Sequence, residues 1–205
     1  HGFKSSGSLK MGDTEMTELA LFVKEPISED NILKGTVSVE VNFLKNEEGF
    51  KIPAVVEIKN TRGYFVDESD NYMKIKGLRG KLKFESLLDM RSEDSQYLRV
   101  DSFESPSFKL NNTVIKYKMY SPEKVRIMRL DTNWCGGQIE GADILFNPAH
   151  QSLKCSIHAS KVEMEKVMGL MKGVKCKANG SLYGRLNLEI RNGKVINQDG
   201  FLFFF

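Results

Sequence analysis

Three histidines, three cysteines and a scatter of carboxylates are the side chains of this 205-residue chain that could begin a reaction or hold a metal. Catalysis needs a nucleophile, a base and a group that orients it, or a metal with several converging ligands. His1 belongs to the chain edge. His150 and His158 would share one face of a straight strand but stand about 26 Å apart, too far to ligate one ion. Cys135 lies in Trp134-Cys135-Gly136-Gly137, a reactive thiol in a glycine loop on one reading. No helix start or cationic cluster flanks it to lower its pKa, so a packed tryptophan beside a glycine bulge is preferred. Cys135, Cys155 and Cys176 show no C-x-x-C spacing, which argues against a disulfide framework or a zinc site and leaves any single bridge among them open. Gly77 to Gly80 and Gly180 to Gly184 lack both the dinucleotide order and the Lys-Ser/Thr of a P-loop, and Asp67, Glu68 and Asp70 lack calcium-loop spacing. The expectation is a protein that is no enzyme and has no cofactor and no metal.

The elements that would position any site are strands. Val37, Val39, Val41 and Phe43 alternate with Ser38, Glu40 and Asn42 after Gly35, the period of a strand with one buried and one wet face. A turn over Asn46 to Gly49 leads to a β-rich run from Ile52 to Ile58, with Pro53 at its start or edge. Met73, Ile75, Leu82 and Phe84 predict another pair of strands, with Gly77 and Gly80 at a tight bend or bulge. Tyr97 to Val100, Thr113 to Met119 and Val125 to Leu130 follow, separated by turn signals at Ser105-Pro106, Asn111-Asn112 and Ser121-Pro122. Trp134 to Glu140, Ile144 to Phe146 and Leu153 to Ile157 come next, divided by Gly141 and Asn147-Pro148. Leu186, Leu188 and Ile190, a turn at Asn192-Gly193 and then Val195-Ile196 close the series as a hairpin. Phe201 to Phe205 are either a last strand or an artificial cut. Such short, regular spacing fits a meander or sandwich, not βαβ units.

One helix interrupts the strands. Ser160 and Glu163 have capping-box spacing, Met164, Val167, Met168 and Met171 form an apolar stripe, and Gly173 sits where a helix-terminating glycine belongs. This stripe would cover a sheet face or plug one end of a groove.

Apolar residues make up 40% and charged residues 28%, so the chain should fold. Thirty Lys plus Arg against 27 Asp plus Glu leave +3 with both signs interspersed, so no nucleic-acid partner is expected. No stretch approaches the roughly 20 apolar residues of a membrane-spanning helix. Residues 1–12 read as a remnant or flexible edge, and 13–205 as a single β-rich domain that is a fragment of something longer. What remains is a surplus of apolar residues in alternating strands and nine methionines, Met73, Met164, Met168 and Met171 among them, whose adaptable side chains suit irregular apolar partners. Such stripes are more often plain core.

Several strings then fall in a recognisable order. They are Val125-Arg126-Ile127 leading to Gly136-Gly137, Phe146-Asn147-Pro148, the helical segment from Val162 to Leu170, Ala178-Asn179-Gly180-Ser181-Leu182-Tyr183-Gly184-Arg185-Leu186, and Gly193-Lys194-Val195-Ile196 with Asp199-Gly200. Ile75 to Leu82 and Gln96 to Val100 fit upstream. In this order they resemble the C-terminal domain of YdbH-type proteins, which are AsmA-like and envelope-spanning; that domain has also been labelled a dicarboxylate-transport domain. The chain departs at Asn187, where the family pattern has proline, and in its phenylalanine end, where the family continues. The resemblance implies a mostly β fold: an elongated, twisted antiparallel sheet or open U-shaped groove with one amphipathic helix near residues 161–172. It implies a fragment of a longer periplasmic or cell-envelope protein of a Gram-negative-type bacterium, anchored in the inner membrane, that shields phospholipid acyl chains between two membranes. Each methylene hidden from water is worth about 0.8 kcal/mol, so an apolar trough can hold such chains. The groove residues expected on this basis are Val37, Val39, Val41, Phe84, Ile115, Tyr117, Met119, Ile144 and Phe146, with Met164 and Met168 as a cap. Alternative readings are a structural or adaptor module that pairs by strand addition with neighbouring β segments or an outer-membrane lipoprotein, and, ranked last, a small-carboxylate-binding domain, which needs cations converging in a pocket where Arg126, Arg129 and Arg185 are scattered along the sequence.

Overall fold

Apolar and polar residues alternating at a period of two give a strand one dry and one wet edge, and neighbouring strands bury their dry edges only by aligning them. The computed structural model realises this as one antiparallel sheet; it describes residues 5–15, 32–46, 49–66, 72–106, 108–147, 149–150, 152–170, 179–192 and 194–205. The strands are β1 (Ser5–Glu15), β2 (Ile32–Asn46), β3 (Gly49–Lys51), β4 (Ala54–Val66), β5 (Tyr72–Ser86), β6 (Arg91–Ser92), β7 (Gln96–Glu104), β8 (Lys109–Ser121), β9 (Lys124–Trp134), β10 (Gly137–Asn147), β11 (Ser152–Glu163), β12 (Ser181–Arg191) and β13 (Lys194–Phe204). A short helix, α1 (Met164–Leu170), follows β11.

The order across the sheet is β1-β2-β4-β5-β7-β8-β9-β10-β11-β12-β13, with β3 beside β2 and β6 beside β5. Apart from the short β3 and β6, each strand thus pairs with its neighbour in sequence. The first and last strands do not meet, so the sheet is elongated and open, not a barrel. Among the described residues there is no second layer of sheet. Yet Val37, Ala54, Phe84, Tyr117, Val125, Ile144, Cys155 and Val162 are buried. Ladder registers place all of them on one face. A single layer hides side chains on one face only by bending around it, so this face is the concave one and is called inner below.

The bending has identifiable causes. Asn60, Gly77, Asn112, Asp143 and Lys161 have φ of 45, 65, 53, 51 and 54°. Each sits where a ladder slips, the mark of a β-bulge. The residue after each one, Thr61, Leu78, Thr113, Ile144 or Val162, is set on the inner face, and all but Leu78 are buried. Gly77 suits glycine on two counts, its positive φ and the Asp101 side chain that a Cβ there would meet.

Several expectations change here. Met73 to Phe84 is one continuous strand, with Gly77 as a bulge and not a bend between two strands. Asn111-Asn112 is not a turn but a bulge inside β8, since asparagine tolerates positive φ within a strand as well as in a loop. Gly141 interrupts nothing and lies within β10. Trp134 to Glu140 is not one strand: Cys135 and Gly136, with φ of 46 and 80°, form the two-residue hairpin turn between β9 and β10. The helix starts later than expected, because Ser160 and Glu163 are still in β11 and form no capping box. His150 precedes β11 and does not share a strand with His158. Residues Ser5–Met11 pair with β2. Phe201 to Phe204 belong to β13. Met171, Gly173, Cys176, Pro148, Ala178, Gly193 and the run Asp67, Glu68, Asp70 lie outside the described residues.

Candidate functional site

Directly opposed residues in a sheet share a face, so the registers can be followed from strand to strand. One row runs Thr14, Val37, Ile58, Gly80, Leu98, Ile115, Leu130, Gly141, Ile157, Leu186, Gly200, crossing from β1 to β13 without a charged residue. A second row begins Leu9, Val41, Ala54, Phe84, Ser92 and resumes as Met119, Val125, Phe146, Leu153, Ile190. Between them lie Met11, Val39, Val56 and Leu82 on one side and Gln96, Tyr117, Ile127 and Ile144 on the other. The result is a continuous apolar trough whose strands cross it like ribs.

All nine strand residues expected to line a groove fall on this face. Val37, Phe84, Tyr117 and Ile144 are buried in its floor. Val39, Val41, Ile115 and Met119 are half-buried, and Phe146 stands 37% exposed. Phe146, Val125, Leu153 and Ile190 line a cleft of about 540 Å³ at the lip where β9 to β12 begin or end. Burial pushes the Tyr117 phenol up to about 12, so it stays neutral in the trough. Met164 and Met168 do not join the rows. They sit half-buried on α1, whose start is anchored at the opposite lip by Glu163 N–H to Cys135 C=O (2.9 Å) and Met164 N–H to Gly180 C=O (3.1 Å).

The wall has one break. Strand β7 starts only at Gln96, so the last residues of β5 and β8 lack it between them, and side chains stand in for the missing backbone. The Gln96 amide accepts from Lys83 N–H (2.8 Å) and donates to Lys83 C=O. Ser92 Oγ accepts from Met119 N–H (3.0 Å) and donates to Met119 C=O (3.3 Å). Both residues are buried. The buried Thr113 and Thr132 hydroxyls share one hydrogen bond at 2.8 Å and Thr132 donates to Asn111 C=O at 3.3 Å, which keeps polar groups in this face paired.

The opposite face is ion-paired along much of its width and aromatic at its β12–β13 end, where Tyr183, Phe201 and Phe203 stack. Lys59–Asp13, Arg79–Asp101, Arg126–Asp143, Arg129–Asp131 and Arg191–Glu189 pair on this face at 2.8, 2.7, 2.7, 2.7 and 2.6 Å. Arg126 and Arg129 are thus each committed to a neighbouring carboxylate, which raises their pKa values further. Arg185 donates to Ser156 and Asn187, and the three arginines do not converge. His158 is exposed on the same face. Desolvation raises the thiol pKa of both Cys135 and Cys155, opposite to what a nucleophilic thiol needs. Among the described residues no group of three or more His, Cys, Asp or Glu could hold a metal, and no helix is long and apolar enough to cross a membrane.

Leu98, Leu130, Ile157, Leu186 and the row glycines were not among the groove residues expected from sequence. Their signal was present as alternation within each strand, but which residues meet across strands depends on bulges that the alternation conceals. Gln96 and Ser92 carried no signal at all. A family model described as "YdbH-like: Intermembrane phospholipid transport protein YdbH" matches residues 70–203. No curated protein and no solved structure matches the chain.

Proposed function

Because the chain belongs to the YdbH-like family, whose model covers more than half of it, we propose that its sheet is one β-rich segment of a longer envelope protein that carries phospholipid across the periplasm between inner and outer membranes. The observation that carries this reading is the uncharged row from Thr14 to Gly200, which offers acyl chains an unbroken apolar path across eleven strands. No bond is made or broken. An acyl chain leaving water for this face gains about 0.8 kcal/mol for each methylene covered, and gains it again at each neighbouring position, so the chain can slide without meeting a barrier the size of full re-exposure. The ion-paired outer face keeps water on the other side of a wall one strand thick. The groove residues are those expected from sequence, Val37, Val39, Val41, Phe84, Ile115, Tyr117, Met119, Ile144 and Phe146, together with Leu98, Leu130, Ile157 and Leu186. Met164 and Met168 act as a cap at one lip. The full-length protein is anchored in the inner membrane.

Photo-crosslinking amino acids at Ile115 and Phe146, with the outer-face Tyr97 as control, test this after gentle purification. Lipid should be captured at the first two and not at the third. No capture, or equal capture at Tyr97, sinks the proposal.

A second reading is favoured by the outer edges of β1 and β13, which pair with no other strand among the described residues. Such edges accept added strands. Neighbouring β segments or an outer-membrane lipoprotein would extend the trough there, and this reading is compatible with the first.

A further inference from the structure

Several cations of the described outer face hold a carboxylate in an ion pair, but those where β2 begins, β4 ends and β5 begins do not. Lys34 of β2 lies directly opposite Arg62 of β4. Lys76 follows on β5, between Ile75 and Leu78, which oppose Gly63 and Thr61. Like charges set directly opposite each other destabilise a sheet. In the adjoining row Tyr64 opposes Lys74, whose ammonium lies 5.4 Å from the Tyr64 ring centre and 4.5 Å from that of Tyr72. The two rings stack at 6.3 Å. Among the described residues no carboxylate forms an ion pair with Lys34, Arg62, Lys74 or Lys76, although Glu104 of β7 lies opposite Lys74 and accepts from the Tyr72 hydroxyl at 3.4 Å; Arg79, on the same strand as Lys76, holds Asp101 at 2.7 Å. A cleft of about 390 Å³ opens among Lys34, Arg62, Tyr64, Lys74 and Lys76.

We propose that this patch is a docking surface for an anionic phospholipid bilayer. The row Lys34, Arg62, Lys76 spans three strands, about 10 Å, which is more than one phosphate can bridge and matches an array of headgroups. Tyrosine rings with lysine stems beside them are the side chains that settle at a membrane–water interface, apolar body inward and polar tip outward. The patch lies at one lip of the trough and on its outer face, so docking leaves the inner face free. It goes beyond the trough reading and is independent of it.

The test is co-sedimentation of the 205-residue chain with phosphatidylcholine vesicles containing phosphatidylglycerol, and with phosphatidylcholine alone. Binding should require phosphatidylglycerol and fall with salt. The R62Q/K76Q chain should bind weaker by about fivefold for each charge removed, while K154Q/K161Q, on exposed residues elsewhere, should bind as the parent does. Thermal unfolding of R62Q/K76Q should be unchanged or raised, since opposed cations are relieved. Three results would overturn the proposal: no preference for phosphatidylglycerol, no loss in R62Q/K76Q, or release by inorganic phosphate beyond that by chloride of equal ionic strength, which marks a free-anion site. Binding gained only by D67N/E68Q/D70N would equally overturn it, by showing that carboxylates of this chain already answer the patch. Lipid captured in the trough should be unaffected by R62Q/K76Q, so failure of one proposal leaves the other standing.

Discussion

Gln96 shows how a single side chain can replace a piece of strand. Its carboxamide has the same donor and acceptor as a peptide unit, and here it meets both backbone groups of Lys83. Lys83 C=O has a second donor in Glu93 N–H at 3.0 Å, but its N–H has only Gln96. Gln96→Ala would leave that N–H unmatched inside the wall, at a cost of about 1–3 kcal/mol. Gln96→Glu keeps the acceptor but turns a buried carboxylate oxygen toward Lys83 C=O, so it should cost more at neutral pH. Urea unfolding of the two variants measures the difference; a Gln96→Glu chain as stable as the parent would mean that packing of the side chain, not its hydrogen bonds, is what matters. Nothing in the sequence pointed to this residue, because a glutamine before Tyr97 looks the same whether it faces water or bridges a gap.

Within a strand, the bulges decide what the alternation of residue types can and cannot tell. The pattern of Val37 to Phe43 was readable because β2 runs regularly there, with residues two apart on one face. In β8 the pattern breaks at Asn112, and Leu110 and Thr113 lie on the same face although three apart. Period-two counting therefore takes Asn111-Asn112 for a turn, when one extra residue has been inserted into a strand that continues. The same holds for Gly77 and Asp143. Positive φ is the property on which each bulge depends, and it is what residue type can test. Asn112 is exposed, so a substitution there acts through the backbone and not through packing. Asn112→Val should destabilise by about 1–2 kcal/mol, since a β-branched residue is strained in the left-handed region. Asn112→Gly should cost little or nothing. Chemical denaturation of both variants decides it, and equal effects would show that the bulge is not held by conformation at this residue.

At the scale of the whole molecule, eleven strands on the sheet path give ten spacings of about 4.8 Å, a trough about 48 Å long. One leaflet of a bilayer's hydrocarbon core is about 15 Å deep. A trough that is uniform along its length should therefore hold about three diacyl lipids end to end, whereas a discrete pocket holds one whatever the length of the sheet. The inner face favours the first case, because its uncharged row has no residue that would stop a chain at a particular strand. Ile115 lies near the middle of that row and is only half-buried, so a cation there can be carried without emptying the floor. Ile115→Arg should divide the trough into two shorter ones and lower the largest number of bound lipids by about one, leaving the fold intact. Native mass spectrometry counts them directly. A single bound lipid in the parent chain, abolished outright by Ile115→Arg, would mean that lipid sits in one local site and that the continuity of the rows has no role in carrying it.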